Sequence, residues 1–210
     1  MLQTADLAVQ RGERLLVEHL DIELPPGSVT WLRGRNGRGK TSLLRLVSGL
    51  ATPAAGQVRI ADQPQRRADV TWRRALLYVG HQNALKDDLG AAEALAFLMR
   101  VAGIPTSAAQ VDEALWRLGV HAKRRAAVRT LSQGQRRRVA LARLALSMAT
   151  PLWLLDEPFD ALDMDGVVTL NELLAEHARA GGATLLTSHQ ALSLKAPVPR
   201  ELDLDRHASA

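Results

Sequence analysis

Gly34-Arg35-Asn36-Gly37-Arg38-Gly39-Lys40-Thr41 decides how this chain folds. The run fits the phosphate-loop pattern G-x-x-x-x-G-K-[S/T]. Its glycines let the backbone turn tightly, so successive N–H groups can point inward at phosphate oxygens. A strand pattern, Ser28–Leu32, runs into the loop, and Thr41–Val47 leaves it with helical spacing closed by Gly49. A helix starting there adds its positive N-terminal end. In such a loop Lys40 reaches the β- and γ-phosphates of a nucleotide, and the Thr41 hydroxyl binds Mg²⁺. The expected phosphate-binding set is Gly34, Arg35, Asn36, Gly37, Arg38, Gly39, Lys40, Thr41 and Ser42. A glycine-rich turn that merely precedes a helix is the plainer alternative. The flanking strand and helix weigh against it.

The second informative stretch is Leu152-Trp153-Leu154-Leu155-Asp156-Glu157, an apolar strand ending in two carboxylates. In a parallel sheet that end faces the ligand crevice. Asp156 is expected to hold Mg²⁺ through its water shell, and Glu157 to orient the attacking water or accept its proton. Capping of the following helix would explain one acid alone. Paired with the phosphate loop, the chemical reading is the stronger one.

Outward from these two stretches the chain alternates in pattern. Short β-type runs come first, at Thr4–Val9, Leu15–Val17 and Leu20–Leu24, with Arg11-Gly12-Glu13 as a hairpin turn. Pro25-Pro26-Gly27 breaks the pattern, and strands are expected at Gln57–Ile60 and Leu76–Val79. A helix-only block follows: Ala91–Val101, Ala108–Leu118 and Gln133–Met148. Strands return at Leu152–Leu155 and Ala183–Thr187, separated by a helix, Val167–Ala180, that Gly181-Gly182 ends. Strands alternating with helices imply an α/β fold with a parallel sheet flanked by helices. The early strands suggest a small antiparallel subdomain, and residues 87–150 an inserted helical subdomain, all within one domain spanning 1–210. The Pro- and charge-rich tail from Ala196 reads as loosely held.

Composition narrows the classes. The chain has 210 residues, 47% of them hydrophobic, enough for a sizeable core. It has no cysteine, which rules out a disulfide framework or a thiolate metal site and fits a reducing compartment. The net charge of +5 is mostly arginine, since lysine stands only at 40, 86, 123 and 195. With aromatics at 3%, platforms for stacking single-stranded nucleic acid are scarce, and no nucleic-acid partner is expected. Met1–Gln10 does not read as a signal peptide, and no run reaches the roughly 18 apolar residues of a membrane span. If the protein works at a membrane, another chain crosses it.

The third stretch, Leu131-Ser132-Gln133-Gly134-Gln135, opens an arginine-rich helix. Phosphate loop, then this run, then four apolar residues with Asp-Glu, resembles the ATP-binding cassette (ABC) ATPases over almost the whole chain. Gln82 after Leu76–Val79 is similar to the family's Q-loop glutamine, Ala161-Leu162-Asp163 to its D-loop, and His189 to its switch histidine. The resemblance implies a RecA-like P-loop NTPase fold, ATP and Mg²⁺ as ligands, and an ATP-sandwich dimer of two copies. In that dimer Ser132, Gly134 and Asp163 meet the nucleotide held by the second copy. Glu157, His189 and Gln82 are the implied catalytic residues, and Thr41, Gln82 and Asp156 the implied Mg²⁺ set. The family usually stacks an aromatic on adenine. Here Arg11 stands near that position, and a guanidinium can stack on a base. Arg136-Arg137-Arg138 and Lys123-Arg124-Arg125 read as solvated faces.

Several strings, among them Val79-Gly80-His81-Gln82, Leu85-Lys86-Asp87-Asp88-Leu89 and Thr187-Ser188-His189-Gln190, are similar to the ATPases of the cytochrome c maturation haem exporter. That group often has Pro-Gly where this chain has Asn83-Ala84. The resemblance implies a peripheral protein at the cytoplasmic face of the inner membrane, bound to separate integral membrane subunits. ATP hydrolysis would move haem or release a haem chaperone. Rival readings are a transport ATPase for another substrate, a soluble cassette ATPase acting on ribosomes or DNA, and a nucleotide kinase. The last lacks an equivalent of Leu131–Gln135, and the soluble class usually carries two cassettes or long arms.

Overall fold

The computed structural model describes residues 1–65 and 70–207. In chain order the elements are β1 (Leu2–Arg11), β2 (Arg14–Leu20), β3 (Glu23–Leu24), β4 (Val29–Arg33), α1 (Lys40–Val47), β5 (Ala55–Ile60), β6 (Gln63–Pro64), α2 (Val70–Arg74) and β7 (Leu76–Val79). There follow α3 (Ala91–Val101), α4 (Ala108–Arg117), α5 (Gln133–Leu146), β8 (Leu152–Leu155), α6 (Met164–Arg179), β9 (Ala183–Thr187) and β10 (Arg200–Asp203).

Two sheets form. The first is antiparallel, in the order β2-β1-β5-β6, with β3 paired to the start of β1. The second is parallel, in the order β10-β4-β9-β8-β7. Both central strands, β8 and β9, are buried along their whole length, as expected of a sheet covered on both faces. Alternation sorts their side chains. Leu152, Leu154 and Leu185 join a core with α1 and the antiparallel sheet. Trp153, Leu155 and Leu186 face the other way, into a core with α3, α4, α5 and α6. The fold is that of an α/β P-loop NTPase.

The order of the parallel sheet fixes the site. β9 lies between β4, which leads into the glycine-rich loop, and β8, which ends at Asp156. The carboxyl ends of these three strands therefore open side by side.

Sequence reading missed three elements and shifted several boundaries. The short α2 and β6 carry too few residues to show a period. α2 is anchored by Trp72, which is buried and donates its indole N–H to the Val47 carbonyl at 3.3 Å. α6 starts at Met164, three residues before the pattern suggests, because Asp163 caps it by accepting from the Gly166 N–H at 2.9 Å. Through residue 207 the tail is not loosely held, and the last three residues lie outside the described ones. β10 pairs along β4 at the sheet edge, and Leu204 beyond it is fully buried, a contribution of about 1.5–3 kcal/mol. Charged residues suit an edge strand, and they hid it.

His177 is buried on α6, stacked on Trp153 with ring centroids 3.7 Å apart and planes within 1°. Its Nε2 lies 2.8 Å from the Thr150 carbonyl, so that nitrogen carries the proton, and Nδ1 lies 3.3 Å from the Thr184 hydroxyl. A Cβ at Gly182 would overlap the ring, so only glycine fits there. Burial holds the imidazole below its ordinary pKa. The unfolded histidine titrates at about 6.5. Below that value the unfolded state binds the extra proton, and stability falls with pH until the folded pKa is passed. Thermal unfolding at pH 7.5 and 5.5 is expected to show a steeper loss in wild type than in His177→Phe. The difference is at most about 1.4 kcal/mol per pH unit, the share of one proton. Equal losses would contradict this assignment.

Candidate active site

The loop between β4 and α1 is built on left-handed glycines. Gly37 and Gly39 have φ of 79° and 102°, and Gly39 sits at the N-cap of α1. A Cβ on Gly39 would lie 3.2 Å from Leu16, so both the backbone angle and the space call for glycine. The Lys40 ammonium crosses the loop mouth and donates to the carbonyls of Gly34 at 2.6 Å and Arg35 at 3.3 Å. The first half of the loop is braced by the tail. Asp205 accepts from the Arg38 Nε at 2.7 Å and from the Arg35 N–H at 3.1 Å. Those contacts, with Arg38 ahead of the loop N–H, hold the Asp205 carboxyl below its usual range.

Across from the loop, one carboxylate oxygen joins the strand ends. Asp156 Oδ1 accepts from the hydroxyls of Thr41 at 3.1 Å and Thr187 at 3.0 Å. Thr187 Oγ1 in turn accepts from the Glu157 N–H at 2.8 Å. Glu157 takes φ of 48°, so its side chain leaves the strand in a different direction from that of Asp156. Its Oε2 accepts from the His189 N–H at 3.0 Å, and its Oε1 lies 3.5 Å from His189 Nε2. Burial is the chief cause that raises the Glu157 carboxyl above its ordinary pKa, against the lowering effect of His189. The Trp31 indole, donating to the Ser188 carbonyl at 3.1 Å, fixes the segment that carries His189.

A cavity of about 260 Å³ lies among these parts, lined by the loop from Asn36 to Ser42 with Asp156, Glu157 and His189. Arg11 and Leu16, from the β1–β2 hairpin, close one side. Gln82 lines a neighbouring cavity of about 830 Å³ that shares Thr41 and Asp156. In its place His81 faces the smaller cavity, with its Nδ1 3.5 Å from Asp160. The sequence gives no signal for that exchange, since it depends on how the loop after β7 turns.

The residues can hold a metal-bound triphosphate. Asp156 Oδ2 is buried without a hydrogen-bond partner, beside the Thr41 hydroxyl. An unpartnered carboxylate oxygen next to a hydroxyl is the hard-oxygen donor pair that Mg²⁺ takes together with water and phosphate.

Ser132, Gly134 and Asp163 do not line this cavity. Ser132 caps α5 in a capping box, its Oγ accepting from the Gln135 N–H at 3.2 Å while Gln135 Oε1 accepts from the Ser132 N–H at 3.0 Å. Gly134 packs on the loop before α6, where a Cβ would come within 2.8 Å of the Ala161 carbonyl. Asp163 pairs with Arg138, which also donates to the Leu118 carbonyl at 2.8 Å. The run Arg136-Arg137-Arg138 in α5 is thus not a solvated face. Arg137 is only 3% exposed, and Arg136 reaches back to the carbonyls of Leu131 and Arg129. Each finds backbone acceptors that charge patterning cannot reveal.

The ABC transporter family model matches residues 17–160. Across 195 residues the chain is 46% identical to a cytochrome c biogenesis ATP-binding export protein of Pseudomonas aeruginosa, covering 93% of this chain and 96% of that one. Its counterpart in Aromatoleum aromaticum is 44% identical over 209 residues, 100% of this chain and 97% of that one. Among solved structures, a putative ABC transporter ATP-binding protein from Pyrococcus furiosus superposes with a TM-score of 0.81 at 21% identity, covering 99% of both chains. A dimeric cassette bound to ADP and Pi gives a TM-score of 0.77 at 22% identity, covering 90% of this chain and 88% of that one. Sequence and fold lead to one conclusion: the chain belongs to the ABC transporter family, among its ATP-binding proteins.

Proposed function

We propose that this chain is the ATP-hydrolysing subunit of an export system serving cytochrome c biogenesis. The observation that carries the ATPase reading is the hydrogen-bonded path Thr41–Asp156–Thr187–Glu157–His189 beside the phosphate loop. The export role rests on relatives named for it that are 44–46% identical over nearly the full length.

The loop N–H groups and Lys40 bind and neutralise the phosphates. Thr41 and Asp156, with Gln82 alongside, would hold Mg²⁺, which would supply neutralisation of the phosphate charge. Glu157 accepts the proton of the attacking water at a carboxyl oxygen, and its burial makes it a better base. His189 donates a hydrogen bond to the γ-phosphate from its ring. Arg11 stacks on the base at the hairpin side of the cavity.

The second half of the site comes from another copy. Ser132, Gly134 and Asp163 cap the nucleotide held by that copy in a head-to-tail dimer. Met164 and Val168, exposed at 84% and 56% on α6 beside Asp163, give the interface apolar surface. Among the described residues no helix is long and apolar enough to cross a membrane, so separate integral subunits complete the exporter. The Q-loop cavity, edged by exposed Leu50 and Val101 and by Arg45, Arg73 and Arg74, is the surface offered to them. The expected place is the cytoplasmic face of the inner membrane, with haem movement or haem-chaperone release as the work done.

Steady-state hydrolysis with nucleotide binding tests this reading. Glu157→Gln is expected to keep ATP affinity, lower kcat by about 10²- to 10⁴-fold and accumulate as an ATP-bound dimer. Wild-type turnover in that variant would reject the assignment. Lys40→Ala is expected to lose most ATP affinity; unchanged binding would contradict the loop assignment. For Arg11→Ala, the loss of about 0.5–2 kcal/mol of stacking predicts an ATP Kd raised roughly 2- to 30-fold. An unchanged Kd there would remove Arg11 from the site.

A further inference from the structure

Arg137 stands outside every role assigned above, yet it touches both loops that flank the γ-phosphate side of the site. Its guanidinium is buried on α5 and donates in two directions. Toward the end of β8, Nη2 donates to the Asp156 carbonyl at 3.1 Å and the Glu157 carbonyl at 2.6 Å, and Nε reaches the Pro158 carbonyl at 3.4 Å. Toward the loop after β7, Nη1 donates to the Gly80 carbonyl at 3.1 Å, to Asn83 Oδ1 at 3.2 Å and, more weakly, to the His81 carbonyl at 3.5 Å. All of these acceptors are neutral.

The pattern has a geometric meaning. The carbonyls of Asp156 and Glu157 belong to the two peptide planes on either side of the Glu157 Cα. A donor that grips both fixes the φ and ψ of Glu157. That residue needs fixing, because its φ of 48° lies in the left-handed region that a non-glycine residue holds only under constraint. The same φ separates its carboxyl from that of Asp156 and brings it to His189. On the other side, Gly80, His81 and Asn83 bracket Gln82. Asn83 contributes its side chain, and Ala84 takes φ of 54°, an angle that glycine adopts without strain.

We propose that Arg137 is a positioning residue for hydrolysis: one planar guanidinium holds the Glu157 backbone and the Gln82 loop in register. Arginine suits the task because its donors form a rigid fork, whereas a lysine ammonium is a single point. Burial lowers the Arg137 pKa, partly offset by Asp160, Asp156 and Glu157, which keep the group charged without gripping it. The inference rests on the catalytic reading of Glu157.

The test compares Arg137→Lys and Arg137→Ala with Glu157→Gln in the purified ATPase. Arg137→Lys keeps a cation and a long stem, so it reports even where the alanine variant does not fold. It should lower kcat about 10- to 100-fold, the cost of a misplacement on the order of 1 Å, with the ATP KM held within about twofold. Millimolar guanidinium should restore part of the kcat of Arg137→Ala, and methylammonium should not. A purely structural role would not respond to that choice of cation. A folded Arg137→Lys enzyme with wild-type kcat, beside an inactive Glu157→Gln, would overturn this proposal alone. Normal hydrolysis by Glu157→Gln would overturn the reading beneath it.

Discussion

One carboxylate oxygen, Asp156 Oδ1, accepts hydroxyl hydrogen bonds from Thr41 at the start of α1 and Thr187 at the end of β9. Those bonds join the carboxyl ends of three parallel strands, since β9 separates β4 from β8. Bonds to a charged acceptor are stronger than neutral ones, about 1.5–3 kcal/mol each against roughly 1. They also settle which way Asp156 faces, and leave its other oxygen free to act on a bound ion. The rest of the site follows. Thr187 passes the constraint to the Glu157 N–H, and Glu157 passes it to His189. Moving β9 out from between its neighbours would break every link at once, so sheet order and chemistry are one requirement.

What the sequence shows and hides has a physical basis. Gly34–Thr41, Asp156-Glu157 and Ser132–Gln135 are legible because each is a short run of adjacent residues at a strand end or a helix start. The boundaries of α3, β8 and β9 are legible for the same reason, as apolar period and breakers coincide there. Arg137 is illegible because its partners lie 19 to 57 residues away along the chain and are mostly carbonyls, which every residue owns. The edge strand β10 is hidden by its charges, and the hold of Asp205, just beyond it, on the loop by a sequence separation of 167 from Arg38.

The loop is braced from both ends of the chain. Leu16 from the first hairpin fills the space beside Gly39, and Asp205 from the tail takes the Arg38 side chain and the Arg35 N–H. A loop whose N–H groups must converge on one anion is more useful when it is already shaped, because ordering it on binding would subtract from affinity. Asp205 does this with a negative charge near a site for polyphosphate, and its two hydrogen bonds offset that disadvantage locally.

The same logic separates the two halves of the site. The cavity gathers the phosphate loop, both carboxylates and His189, while Ser132, Gly134 and Asp163 point elsewhere on the chain. Yet those three are not independent of it. Gly134 abuts Ala161 in the turn after Glu157, Asp163 pairs with Arg138, and Arg137 in the same turn of α5 holds Glu157 itself. The surface proposed to meet a second copy and the groups proposed to cleave the nucleotide are thus two ends of one helix start. In a dimer of the kind proposed, a shift of α5 would reach the Glu157 backbone through the Arg137 guanidinium.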